Sequence, residues 1–386
     1  MSLVLERSRG GMRPVLKWMT LILGTHLRWR DEPNASSLSR ALGKLTKDHL
    51  RLLQDRAASL MTLADRRKPR SGQGRLLAID GMRVLVPRCG KLRRAFGCPR
   101  WGNQQHAAQR TDTPQALLVV LFDIDAHRPV GHAILSIRNN DEIGGARQLI
   151  AHLRPGDTVL LDRGLLNWRL LRAIRAKGAH FVLRRQNGRC RGRDIDALFA
   201  SRKRSRWFCR PGTKPMSYRI VRGQRRRGSA TKGPEEHVVI MTDLQLPTDE
   251  ILRLYRHRWD IESFFKQIKT IESIEQFHGR TKQAIEREIV VIFTLHCLAS
   301  VLEIHAIGAD GDLHNDPRRR RSPRALSIAC IAVMLIYLGH KIPDKPWRRA
   351  IAALARQRVR KRPGRRFPYT CRGPLGRWRM RPTVRS

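Results

Sequence analysis

Residues 158–183 read TVLLDRGLLNWRLLRAIRAKGAHFVL. The apolar run Thr158–Leu161 ends at Asp162, apolar residues then recur at helical spacing from Leu165 to Lys177, Gly178 stops them, and His180–Leu183 returns to a short apolar strand. Strand, helix and strand in such close succession is the unit from which helix-flanked sheets are built. Upstream the rhythm is all strand: Leu76–Asp80 (LLAID) with Gly81 behind it, Val84–Val86, Ala116–Phe122 (ALLVVLF) and the alternating run Val130–Ile137, before a helical stretch from Glu142 to Leu153. Strands first and alternating helix and strand afterwards predict an α/β (α+β) unit with a mixed sheet.

Downstream, residues 187–237 break the rhythm with Gly, Arg and short β-type pieces such as Ser217–Val221, and Val238–Met241 (VVIM) resumes a core-like strand. This reads as an insertion of about residues 187–237 into the mixed domain. From Pro247 to about Glu303 the pattern is helical. At the other end, the Leu-rich pattern of residues 38–53 and the run Arg66–Gly72 predict a helical region 1–72 closing in a linker. It fits a small helix-turn-helix DNA-binding unit and a plain helical scaffold equally well. The expected organisation is therefore 1–72 helical, 73–310 the mixed domain with its insertion, and 311–386 a helical and Arg-rich extension.

Charge narrows the function. The chain has 386 residues with 78 Lys and Arg against 32 Asp and Glu, a formal net charge of +46. Such a field repels itself in a compact state, so a polyanion, nucleic acid by default, is the expected partner. The excess is local: 11 basic against 8 acidic residues in 76–162, but 15 against 2 in 189–232 and 16 against 1 in 341–386. The last of these, with Arg360, Lys361, Arg362, Pro363, Gly364, Arg365 and Arg366, suits a phosphate-binding arm as well as a solvated run. In the insertion, Trp207, Phe208 or Tyr218 either stack on an unpaired base or form a small core of their own. The seven cysteines never form a C-x-x-C pair, which argues against a disulfide scaffold or a zinc finger and for a reduced cytoplasm. The longest apolar stretch, Ala325–Leu338, falls short of the roughly 18 to 20 residues that span a bilayer, so no membrane partner is expected.

Chemistry is carried by three short blocks. Asp80 in LLAIDG and Asp162 in TVLLDRG stand at the ends of apolar strands, where ligands and metals collect in α/β sheets, and the glycines behind them let the backbone turn away. Either Asp alone is also an ordinary turn former. At about 100° per helical residue, Tyr255, Arg258, Glu262 and Lys269 fall within a stripe about 60° wide, beside an apolar face of Leu254, Ile261, Phe264, Phe265, Ile268 and Ile271. Asp260 points away from that stripe. Arg258 and Glu262, four apart, can equally pair as a surface ion pair. Three carboxylates suit a hard divalent cation: two Mg²⁺ ions activate an attacking water and stabilise the leaving 3′ oxygen of a phosphodiester, with Mn²⁺ as a substitute. Arg258 and Lys269 are placed to contact phosphates.

The spacing Tyr255-x2-Arg258-x3-Glu262-x6-Lys269, with LLAIDG, LLDRG and RWDIESFFKQIK as three ordered blocks, resembles the signature of insertion-sequence DDE transposases of the IS-four type. The resemblance spans about residues 74–305. It implies an RNase H-like catalytic domain with a β-rich insertion between the second Asp and the Glu. It also implies Asp80, Asp162 and Glu262 as catalytic, metal-holding acids and Tyr255, Arg258 and Lys269 as DNA-contacting residues. The implied activity is cutting of DNA at mobile-element ends and joining of the 3′ hydroxyl to target DNA. The implied partners are the double-stranded terminal inverted repeats and the target, with a homodimer on DNA as the candidate assembly, in a bacterial, nucleoid-associated protein. A nuclease of the same fold without strand transfer, and an inactive DNA-binding protein from a decayed element, are the rival readings.

Overall fold

The computed structural model describes residues 74–99, 113–185, 192–212, 215–225, 236–308, 324–334 and 344–356, with a few positions between 40 and 56. The readings of residues 1–72 and of the Arg-rich tail fall almost wholly outside the described residues. Among those described, eight strands form one mixed sheet: β1 (Leu76–Leu85), β2 (Gln115–Asp123), β3 (Arg128–Ser136), β4 (Thr158–Leu161), β5 (His180–Arg185), β6 (Ser205–Arg210), β7 (Met216–Arg225) and β8 (Glu236–Thr242). Their spatial order is β3-β2-β1-β4-β5-β8-β7-β6, with β1, β4 and β5 mutually parallel and every other pairing antiparallel.

Both faces of the sheet are covered, because its strands are apolar on both sides. Along β1, Leu76, Ala78, Met82 and Val84 join one core and Leu77 and Ile79 the other, the period of two of an extended chain. On the first face lie α1 (Gly90–Phe96), α5 (Thr248–Arg256), α6 (Trp259–Thr270) and the start of α7 (Lys282–Gly308). On the second lie α2 (Glu142–Leu149), α3 (Trp168–Ala176) and α4 (Arg193–Ala200). The result is a three-layer sandwich. The end of α7 forms a third cluster with α8 (Arg324–Met334) and α9 (Asp344–Arg356). No helix among the described residues is long and apolar enough to cross a membrane.

Two local expectations change. Gly81 does not turn the chain: β1 runs through it to Leu85, with Asp80 opposite Val120 and Gly81 opposite Val119. Asp80 is left partly accessible for a different reason, since pairing with β4 stops at Ile79 opposite Leu161 and Asp80 stands where that neighbour gives way to a loop. Second, the helical stretch after Pro247 is three helices. Between α5 and α6 the amides of His257 and Arg258 bond the carbonyls of Leu254 and Tyr255, three residues back, so the chain tightens for one turn without leaving helical geometry. That is why Tyr255, Arg258 and Glu262 still end on one side despite the break. The inserted residues add α4 and the strands β6 and β7 beyond β8, lengthening the same sheet.

The α6 helix is held by its aromatic side. Phe264 is fully buried and stacks on Phe122 of β2 with ring centroids 4.7 Å apart. Truncating a buried Phe costs about 3–5 kcal/mol, so the position of Glu262 on the adjoining turn rests on this contact.

Candidate active site

Asp80 alternates with Ala78 and Met82 and therefore faces α5 and α6. Asp162 follows directly on β4 in extended conformation (φ −79°, ψ 166°), and its carbonyl accepts from the Leu165 amide, starting a one-turn 3₁₀ segment. The two acids thus stand side by side at adjacent parallel strand ends. Glu262 comes from the first turn of α6.

Arg258 joins them. It precedes α6 and its side chain is 6% exposed. Its Nη1 donates to Asp80 Oδ2 at 3.4 Å and its Nη2 to Glu262 Oε1 at 2.6 Å, while its buried Nε has no hydrogen-bond partner. Tyr255 donates its hydroxyl to Asp162 Oδ1 at 3.5 Å. Residues separated by 82 and 100 positions along the chain are thereby gathered into one network. Lys269 is not part of it: its Nζ donates to the Arg83 carbonyl at 2.8 Å and pairs with Glu275 at 3.4 Å. Lys269 fastens α6 to the far end of β1. Asp260 faces His257 instead of the acids, as its place on the helix predicts.

One further acid belongs here. Glu142, the first residue of α2, brings its carboxylate against Gly81, so closely that a Cβ on Gly81 would lie 2.8 Å from Glu142 Oε1. The sequence reading places a helix start at Glu142 and gives the residue no role. The signal that could have found it is Gly81, whose missing side chain is legible only as a turn until the neighbour is known.

The electrostatics follow from this crowding. Burial raises the Asp80 carboxyl to about 6; Arg258 and the Gly81 amide, which donates to Asp80 Oδ1 at 2.9 Å, pull it down, and Glu142 and Asp162 push it up. Burial also raises Glu142, with the Gly81 amide opposing and Asp162 adding to the rise. The Tyr255 phenol is raised by burial, so it remains a hydrogen-bond donor at any ordinary pH. A strand-end pocket in which burial and like charge work against ionisation is a place where an external cation is favoured. The donors are all carboxylate oxygens, which suits a hard divalent ion. Among the described residues no three acids, histidines or cysteines are already grouped to hold a metal; a guanidinium lies against Asp80 and Glu262.

The family model described as "Transposase DDE domain" matches residues 71–298, which takes in the whole sheet and every element of this site. The chain belongs to the transposase DDE-domain family. It is similar to the transposase InsG for insertion sequence element IS4 of Escherichia coli (strain K12), 30% identical over 233 residues that cover 55% of this chain and 49% of InsG. The chain spans about half the length of that curated relative. Among solved structures, a likeness runs to the piggyBac transposase synaptic complex with hairpin DNA, with 12% identity and a TM-score of 0.42, covering 76% of this chain and 59% of that one.

Proposed function

We propose that this DDE-domain protein is a transposase that cuts DNA at the ends of a mobile element and joins the exposed 3′ hydroxyl to target DNA. The observation that carries the reading is the convergence of Asp80, Asp162 and Glu262, from two strand ends and one helix, on Arg258 and Tyr255. The strand order β3-β2-β1-β4-β5, antiparallel at the first two pairings and parallel at the next two, supports an RNase H-like core extended by the inserted strands.

Asp80, Asp162 and Glu262 are the residues that would hold divalent cations, Mg²⁺ or Mn²⁺. Bound there, such ions supply Lewis-acid activation of the attacking hydroxyl and charge stabilisation of the leaving 3′ oxygen. The chain's own groups do the rest. Arg258 neutralises Asp80 and Glu262 before substrate arrives and, with an Nε still free to donate, turns toward a DNA phosphate when one is present. Tyr255 holds the Asp162 carboxylate by its hydroxyl and so fixes which oxygen faces the site. Lys269 keeps α6 against β1, and the basic surface holds duplex DNA, the element ends and the target alike, with a homodimer on DNA as the assembly and the nucleoid as the place of action.

The test is a Mg²⁺- or Mn²⁺-dependent cleavage assay on the inverted repeats that flank the chain's own coding locus, followed by strand transfer from precut ends. Cuts and joints are the expected result. Cuts without joints identify a nuclease of the same fold, and binding with neither identifies an inactive DNA-binding protein.

A further inference from the structure

Gly81 is in regular β-structure, paired across to Val119, and is absent from the glycines that take a positive φ. Its backbone therefore needs no glycine. What needs it is Glu142: a Cβ at position 81 would lie 2.8 Å from Oε1, 3.0 Å from Cδ and 3.1 Å from Cγ of that side chain. Glu142 is also firmly placed. Asp141 caps α2 by accepting from the Gly144 amide at 2.7 Å, so the helix start, and with it the root of the Glu142 side chain, is fixed beside β1.

From that position the Glu142 carboxylate lies against Gly81, whose amide donates to Asp80 Oδ1 at 2.9 Å, so the two carboxylates flank the same residue at the end of the β1–β4 pairing. No ion pair reaches Glu142 among the described residues, whereas Arg258 serves Asp80 and Glu262. A carboxylate set beside another without a counter-charge is costly unless something positive joins them. We propose that Glu142 is a fourth carboxylate of the Asp80–Asp162 cation site, closing it from the α2 side, and that Gly81 is glycine to let it in. This rests on reading Asp80 and Asp162 as cation ligands. The commonplace role for a Glu in the first helical turn is a favourable interaction with the helix N-terminus, which affects stability slightly and metal affinity not at all.

The two roles separate in Mn²⁺ binding by the full-length chain, read from the loss of the free-ion signal in electron paramagnetic resonance, without any turnover. Wild type is compared with Asp80→Asn, Glu142→Gln and Gly81→Ala. The expected result is that Asp80→Asn abolishes binding and Glu142→Gln weakens it about 10- to 100-fold, the size of effect seen when a group that completes a metal site is removed. Gly81→Ala keeps the carboxylate but pushes its end aside, so it should weaken binding similarly and add little in the Glu142→Gln background. Wild-type affinity in Glu142→Gln alongside lost binding in Asp80→Asn overturns the role of Glu142 and leaves the cation site standing. Wild-type affinity in Asp80→Asn overturns the cation site and Glu142 with it. Should Glu142→Gln lose its far-UV circular dichroism or its cooperative melt, Gly81→Ala decides by the same criterion.

Discussion

Around the ends of β1 and β4, Asp80 and Glu262 share one buried guanidinium, Asp162 accepts from the Tyr255 hydroxyl, and Glu142 lies against Gly81. At the β5 side and in the β8-β7-β6 extension, charged groups have partners of their own. Asp194 accepts from Arg185 at 3.0 Å and from the Tyr218 hydroxyl at 3.1 Å; Arg219 donates to Ser205 and to the Leu246 carbonyl, both at 2.7 Å; Arg204 pairs with Asp249. The same residue types serve different ends. In the extension polar contacts are closed and fasten strands, with Phe208 stacked on Tyr218 5.9 Å away and Trp207 left exposed on the other side of β6. At the strand ends the carboxylates outnumber the guanidinium that serves them, which leaves this site an open set, short of positive charge.

The sharpest way to break that contrast is to remove an acid from the open set. Asp80→Asn, Asp162→Asn and Glu262→Gln should each lower metal-dependent cleavage at least about 10³-fold, since several kcal/mol of charge stabilisation vanish and every ~1.4 kcal/mol is tenfold in rate. DNA binding, measured by gel shift, should change little because the phosphate contacts remain. A Glu262→Gln variant that still cleaves would detach α6 from the chemistry.

Next in size is Arg258, the cation that Asp80 and Glu262 share. Arg258→Ala leaves Asp80, whose side chain is 20% exposed, without its counter-charge; Glu262 at 39% is better served by water. Removing one partner of a largely buried pair is strongly destabilising, and with solvent screening on the Glu262 side a loss of about 2 kcal/mol is expected in urea unfolding. Arg258→Lys should not restore cleavage, because a single ammonium cannot donate to Asp80 and Glu262 through a planar fork. Full stability in Arg258→Ala would show the network to be electrostatically idle.

How far these differences could be read beforehand depends on what each residue does. The strands were legible because their apolar runs are bounded by Gly and Asp, and Asp162 because it ends such a run. Arg258 and Glu262 were legible as helix neighbours, since a tightened turn between α5 and α6 preserves their side. Lys269, two turns on, met Arg83 and Glu275 first. Gly81 was misread because a glycine kept for space and one kept for a turn look alike in sequence. Glu142 was hidden because its role depends on a strand 61 positions away. The α4 helix and β6 went unseen because each is short, eight and six residues, and lies between Gly- and Arg-rich segments.

The open set should also leave a trace in the pH dependence of stability. Asp80 is raised from 3.8 to about 6 in the folded chain, so between those values the native state holds more protons than the unfolded one and stability falls as pH rises. His132, half-buried and lowered from 6.5 to about 4 by burial first and His152 second, has the opposite slope: stability is lost as pH falls from about 6.5 towards 4. The two largely offset each other. In metal-free buffer, Asp80→Asn should therefore gain about 3 kcal/mol on wild type between pH 4 and pH 6 and then run parallel to it. A constant difference across that range would mean that Asp80 ionises as an ordinary carboxylate.

The smallest effect belongs to the closed set at its most exposed point. Arg204 and Asp249 make a two-pronged ion pair between the start of β6 and the first turn of α5, but their side chains are 58% and 67% exposed. Water solvates both ions nearly as well apart as together, and holding two long side chains in register costs rotamer freedom. The shifts of both groups, Asp249 down and Arg204 up, arise first from their mutual hydrogen bond and are discounted by that exposure. Asp249→Asn should leave the melting temperature unchanged at 0.15 M salt, where charges beyond about 8 Å are screened. A small loss that appears only at low ionic strength fits a screened surface pair. A loss that persists in high salt would mean that the pair is shielded from solvent, and the extension would then depend on its charges as the strand-end site does.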